Sequence, residues 1–142
     1  MNVVIDTNVY GSFLLSPRGG GAWLMYLWNE RKLEVVISPD LFKELVEVLN
    51  RPEIGSEVDS HRKLALFRRL RYDAIWAAGE MATQGCLPDP DDEILVSAAL
   101  ETQAEFILSW DTALLKQAEC QGVRIVTPDQ FISLVIRYRK DK

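Results

Sequence analysis

Histidine is almost missing from this chain: His61 is the only one in 142 residues. That scarcity argues against a histidine-rich zinc or copper centre. Cysteine is nearly as scarce. Cys86 and Cys120 are the only two, neither belongs to a Cys-x-x-Cys pair, and the expectation is two free thiols in a reducing compartment. No apolar run approaches the ~20 residues that a membrane-spanning helix needs. The opening MNVVIDTNV has no basic start, long apolar stretch or small-residue cleavage site, so no secretory signal is read and the cytoplasm is the expected compartment. Phosphate loops of the GxxxxGK[ST] type, GxGxxG, HExxH and GxSxG are all missing, which removes the enzyme classes that those motifs mark.

What is present suits one domain over residues 1–142. Apolar residues make up 48% of the chain, enough for a sizeable core without disulfide support. Sixteen basic residues stand against 21 acidic ones, a net charge of −5, so the overall field does not attract nucleic acid. The charge is patterned locally, however. Arg62, Lys63, Arg68, Arg69 and Arg71 crowd one segment, and Arg137, Arg139, Lys140 and Lys142 form a basic C-terminal tail over 137–142. Acids thicken at Asp89, Asp91, Asp92 and Glu93.

Short apolar runs at Val3–Ile5, Val35–Ile37 and Phe106–Leu108, and a fourth at Val123–Val126 interrupted by Arg124, are too brief for helices and suggest strands buried on both faces of a parallel sheet. Helical spacing predicts helices over 22–31, 39–49, about 60–83, 91–103, 112–120 and 129–138, and Gly19–Gly21 reads as a loop. Ser38-Pro39 and Asp89-Pro90 read as helix starts, Thr127-Pro128-Asp129-Gln130 as a capping box, and Gly122 as a helix stop. Strands alternating with helices imply an α/β fold whose mostly parallel sheet binds ligands beyond its carboxyl ends.

Acids occupy those ends. Asp6 follows the first strand, and Asp111 closes Ser109-Trp110-Asp111 after the strand at 106–108. Asp91 and Asp92 open a helix, where a carboxylate also simply suits the helix dipole. Asp6 and Asp111, singly, read equally as loop or N-cap residues. Glu44 is different, because Leu41, Glu44, Leu45 and Val48 share one helical stripe. A carboxylate on an apolar stripe needs a partner, a proton or a metal. Gathered at one rim, these acids would repel one another unless some stay protonated or a hard cation such as Mg²⁺ or Mn²⁺ neutralises them. Acid-only sites of that kind commonly serve phosphate chemistry.

The segments VVIDTNV at 3–9, SPDLFKELVEVLNRP at 38–52, CLPDPDDEILVSAA at 86–99, ILSWDTALL at 107–115 and VRIVTPDQFI at 123–132 together resemble the PIN-domain nucleases, in particular the single-domain VapC-like toxins of toxin–antitoxin pairs. The resemblance implies a three-layer α/β/α fold and a Mg²⁺- or Mn²⁺-dependent endoribonuclease. It places the four catalytic and metal-holding acids on Asp6, Glu44, Asp92 and Asp111, with Asp91 as the rival of Asp92. Thr7, Asn8 and Ser109 fall where polar groups orient those acids. The chain departs from the family at Ser109-Trp110-Asp111, where threonine and a small residue are usual. Trp110 is then either a packing aromatic or a base-stacking platform.

The resemblance also implies an RNA substrate and a cognate antitoxin protein, and two-fold dimers are the commonest assembly of soluble chains. A helical arm over about 53–83 carries Arg62, Lys63, Arg68, Arg69 and Arg71, which are either a solvated face or an RNA clamp. Other readings stand beside the toxin: a catalytically idle PIN scaffold, a nuclease of RNA processing or decay, and an unrelated acid-site phosphatase or receiver domain.

Overall fold

The computed structural model describes residues 1–16 and 18–140. Its centre is a six-stranded sheet. The strands are β1 (Asn2–Ile5), β2 (Glu34–Ile37), β3 (Ile75–Trp76), β4 (Phe106–Leu108), β5 (Glu119–Cys120) and β6 (Val123–Val126). Their order is β3-β2-β1-β4-β6-β5, parallel throughout except where β5 turns back against β6. The four apolar runs read as strands are β1, β2, β4 and β6. Val3, Val4, Val35 and Ile107 are fully buried, as unalternated runs require in a sheet covered on both faces.

The helices that cover it are α1 (Thr7–Leu15), α2 (Gly20–Asn29), α3 (Pro39–Leu49), α4 (Pro52–Gly55), α5 (Ser60–Asp73), α6 (Glu93–Thr102), α7 (Thr112–Gln117) and α8 (Pro128–Lys140). Local chemistry explains several starts. Ser38 caps α3, its Oγ accepting from the Leu41 N–H at 3.3 Å, with Pro39 in the first turn. Thr127 and Gln130 close a reciprocal capping box on α8, at 3.0 and 2.9 Å. Helix α6 lies against β1, β2 and β4 and buries Leu95, Val96, Ala98 and Ala99.

Several expectations are corrected. The stretch 7–15, for which no helix is expected, forms α1. Gly11 interrupts its helix propensity, and burial of Val9, Tyr10 and Leu14 supplies what local preference does not. Gly20 and Gly21 are not loop but the first turn of α2. A Cβ on Gly21 would stand 2.8 Å from Phe13 Cβ, and one on Gly20 would stand 2.9 Å from Asp129 Oδ1, so these glycines let α2 approach α1 and α8. The helix expected over 60–83 ends at Asp73, because Ile75 and Trp76 leave it to pair with Val36 and Ile37 at the sheet edge. Residues 119–120, expected as helix, are strand β5, and Gly122 sits at φ +86° in the hairpin turn to β6 rather than at a helix stop.

The thiols are not free. Cys86 and Cys120 are joined in a disulfide, with Cα atoms 5.9 Å apart. The pairing is tertiary in origin: the long connection after β3 folds back over β5, and the Gln84 N–H donates to Gln121 Oε1 beside it. The basic segment at the C-terminus is helical through Lys140, and Asp141 and Lys142 lie outside the described residues. Among the described residues, no helix is long and apolar enough to cross a membrane.

Candidate active site

Asp6 and Ser109 leave the carboxyl ends of two adjacent parallel strands. The Asp6 N–H donates to the Leu108 carbonyl at 2.9 Å, which extends the ladder by one residue and sets the two side by side. Asp6 then caps α1 through the Thr7 N–H, 2.8 Å from Oδ1. Its other oxygen, Oδ2, accepts from the Ser109 hydroxyl at 2.7 Å.

Ser109 is completely buried, and its hydroxyl is fully used. It donates to Asp6 and accepts from the Asp111 N–H at 3.0 Å and from Asn8 Nδ2 at 3.4 Å, one donor and two acceptors. Asn8 turns its amide oxygen to the Trp110 N–H at 3.2 Å. Asp111 caps α7 through the Ala113 N–H at 2.9 Å. The structure therefore ties Asp6, Asn8, Ser109 and Asp111 into one network across the β1–β4 edge.

Glu44 approaches from α3. It is half-buried, and Thr7 Oγ1 donates to its Oε2 at 3.4 Å. Thr7 thus touches both acids, one through its N–H and one through its hydroxyl. Asp92 comes from the single 3-10 turn, Pro90–Asp92, that opens α6; Asp89 starts this turn by accepting from the Asp91 N–H at 2.9 Å.

The carboxylates lie in one another's fields. Burial pushes the Asp6 carboxyl up, hydrogen bonds from Ser109 and Thr7 pull it down, and the Asp111 charge pushes it up again. Burial raises Glu44, as do the charges of Asp6 and Asp91, while Thr7 and Arg51 lower it. Asp92 is pushed up to about 6, first by burial and then by Asp6, Asp89, Asp111 and Glu44. Asp92 therefore feels the other three acids of the set, whereas exposed Asp91 enters only through Glu44.

The donor chemistry suits a hard divalent cation, since every group is a carboxylate and the cluster is short of positive charge. The geometry is open: among the described residues, no three carboxylate, histidine or cysteine side chains already stand close enough to share an ion. Trp110 packs half-buried against the core, with its indole N–H enclosed and without a partner.

The basic arm divides. Arg62 donates to the carbonyls of Leu14 and Phe13, each at 3.3 Å, and lies 5.0 Å from the Phe13 ring centre. Arg69 stacks 4.0 Å over Trp28 and donates to Asn29, and Lys63 donates to Asn50 at 2.8 Å. These three brace the arm against α1, α2 and the end of α3. Arg68 and Arg71 face outward instead.

Some contributors escape a reading of the sequence. Arg51 follows the C-cap of α3 and its charge lowers the Glu44 carboxyl, although it lies outside the helix whose spacing marked Glu44. The Glu101 carboxylate anchors the connection after β3 by accepting from the Ala78 and Gly79 N–H groups, and Glu93 does so by accepting from the Leu87 N–H. No local pattern announces either.

No curated protein sequence matches the chain. Among solved structures it is similar to a chain of VapBC2 from Rickettsia felis, bound in that crystal to a DNA fragment from the promoter. The match has a TM-score of 0.57 and 15% identity, covering 88% of this chain and 97% of that one, which is a likeness of fold. The family model for the PIN domain matches residues 2–113, so the chain belongs to the PIN-domain family.

Proposed function

We propose that this PIN domain is a metal-dependent endoribonuclease and the toxin of a toxin–antitoxin pair. The observation that carries the reading is four carboxylates from separate elements: Asp6 and Asp111 after β1 and β4, each accepting a backbone N–H, Glu44 accepting from Thr7, and Asp92, whose carboxyl is raised by burial and by the charges of the other three. Asp6, Glu44, Asp92 and Asp111 would hold Mg²⁺ or Mn²⁺. When bound, the ion would polarise a phosphate oxygen and lower the pKa of water. Ser109 fixes the Asp6 oxygen that faces it and, through the Asp111 N–H, the turn that presents Asp111. Thr7 steadies Glu44. Asn8 holds the Ser109–Trp110 backbone, and Asp91 contributes charge beside Glu44. Such supporting partners set ligand orientation and affinity.

The test is cleavage of a labelled single-stranded RNA with Mg²⁺, Mn²⁺ or EDTA, beside Asp6→Asn. The reading expects metal-dependent cutting that Asp6→Asn loses while its melting stays cooperative. Cutting undiminished in both Asp6→Asn and Asp111→Asn would refute it.

The fold likeness to a VapBC2 chain supports an antitoxin partner, and with RNA as substrate the cytoplasm is the proposed compartment, against which the Cys86–Cys120 disulfide stands as the opposing feature. Expression alone should arrest growth, and the neighbouring small gene should rescue it. An active nuclease without arrest would favour RNA processing or decay. The open carboxylate spacing favours a second reading, an idle scaffold, which a Mg²⁺ or Mn²⁺ titration showing no binding would support. The exposed Trp23 and Tyr26, edge to face at 5.8 Å on α2, are the apolar groups proposed for a homodimer, and sedimentation of Trp23→Ala decides that.

A further inference from the structure

Helix α5 carries a second stripe, of which only Phe67 packs against the core. Leu66 and Leu70 face the core, while Leu64, Phe67, Arg68, Arg71 and Tyr72 recur at i, i+3, i+4, i+7 and i+8 on another face. With Phe42 of α3 and Trp76 of β3 they line an open groove of about 540 Å³. Its aromatics are ordered. Phe42 sits 5.7 Å from Phe67 and 5.6 Å from Trp76, and the Trp76 indole N–H is fixed on the Leu70 carbonyl at 3.0 Å. Large apolar surface nevertheless stays open: Tyr72 is 72% exposed and Trp76 40%.

The groove's charge is of one sign. Arg68 and Arg71 are exposed and lie in none of the ion pairs or protein hydrogen bonds among the described residues. Arg71 rests 5.7 Å from the Tyr72 ring centre, and no carboxylate lines the groove. In a chain of net charge −5, two uncompensated guanidiniums beside clustered, partly exposed aromatics complement a polyanion with planar bases.

Trp76 of the groove lies level with the strand ends that carry the acids. Trp76 pairs with Ile37, the register that pairs Val4 with Val36 puts Ile5 level with Ile37, and Ile5 pairs with Leu108. Trp76 is thus two strands, about 10 Å, from the residue preceding Asp6. Helix α3 walls both regions, with Phe42 facing the groove and Glu44 the acids.

We infer that this groove holds a single-stranded RNA flank beside the cut site, with Arg68 and Arg71 on its phosphates and Tyr72 and Trp76 under its bases. The inference rests on the nuclease reading for the role of the acids, but its test does not use cleavage. A fluorescein-labelled 12-nucleotide single-stranded RNA is titrated by anisotropy in EDTA against Asp6→Asn protein, over a range of salt. Adding Arg68→Gln and Arg71→Gln should weaken binding about tenfold or more and reduce the salt slope by about 1.4, the value for two single-strand phosphate contacts. Adding Tyr72→Ala should cost about tenfold, one base stack, without changing the slope. The charge-matched control Arg31→Gln with Lys32→Gln, outside the groove, should leave affinity unchanged.

Unchanged affinity in the Arg68/Arg71 variant, an equal loss in the control, or equal binding of a duplex would overturn the inference. So would a shift from dimer to monomer in the Arg68/Arg71 variant, which would assign the groove to a second copy. Wild-type protein that cuts no RNA while the groove variants still lose binding would defeat the nuclease reading alone.

Discussion

The Ser109 hydroxyl donates to Asp6 Oδ2 at 2.7 Å across 103 residues of chain, and Ser109 Oγ in turn accepts the Asp111 N–H at 3.0 Å. One buried hydroxyl thus couples the first and last acids of the site. Ser109→Ala removes a donor that lowers the Asp6 carboxyl and leaves the Asp111 N–H without its acceptor. The expected result is a loss of Mg²⁺ or Mn²⁺ affinity of about 10–100-fold, read by calorimetric titration, with the fold retained.

The raised acids make a signed prediction for the metal-free protein. Asp92 ionises near pH 6 when folded, against 3.8 ordinarily. Below about pH 4 it is protonated in both states and costs nothing. As pH rises through 4–6, the unfolded chain loses its proton first, so stability falls, and the loss is complete above about 6. Asp6 and Glu44 act with the same sign. Asp92→Asn should therefore raise the metal-free Tm at pH 7.5 and leave it unchanged near pH 4, as measured by thermal melts at both pH values. An equal effect at both would contradict the electrostatic account.

A divalent ion should reverse that penalty. Mg²⁺ or Mn²⁺ is expected to raise the Tm at pH 7.5 far more than at pH 5, because protons compete for the same oxygens. The increment should vanish in Asp92→Asn combined with Asp6→Asn, and differential scanning fluorimetry reads both.

Gly21→Ala tests packing against propensity. In an exposed helix the change stabilises by about 1 kcal/mol. Here the new methyl would meet Phe13 at 2.8 Å, so the expected outcome is a lower Tm and lower urea midpoint.

The Cys86–Cys120 bridge closes a 34-residue separation, for which chain entropy gives about 3–4 kcal/mol of stabilisation. Reduction, or Cys86→Ser with Cys120→Ser, should lower the urea midpoint and raise the m-value, because the unfolded chain loses its cross-link and expands. Thiol titration of the untreated, denatured protein should find no free cysteine.

The sequence by itself determined the elements whose cause is local. Short apolar runs, one of them interrupted by Arg124, placed β1, β2, β4 and β6, Ser38 and the Thr127–Gln130 box placed the starts of α3 and α8, and the apolar stripe around Glu44 marked that carboxylate as one in need of a partner. Each rests on neighbours within a turn or a strand, so a one-dimensional pattern carries it. Only the tertiary structure decided the rest. It made residues 7–15 a helix despite Gly11, drew Ile75 and Trp76 out of a helix into a sheet edge, and joined Cys86 to Cys120. It divided one run of basic residues into Arg62, Lys63 and Arg69, which brace the arm, and Arg68 and Arg71, which face outward. It also left Asp91 exposed and Asp92 half-buried. These outcomes depend on fields, hydrogen bonds and close packing between residues tens of positions apart, and such terms acquire a value only when the chain has closed on itself.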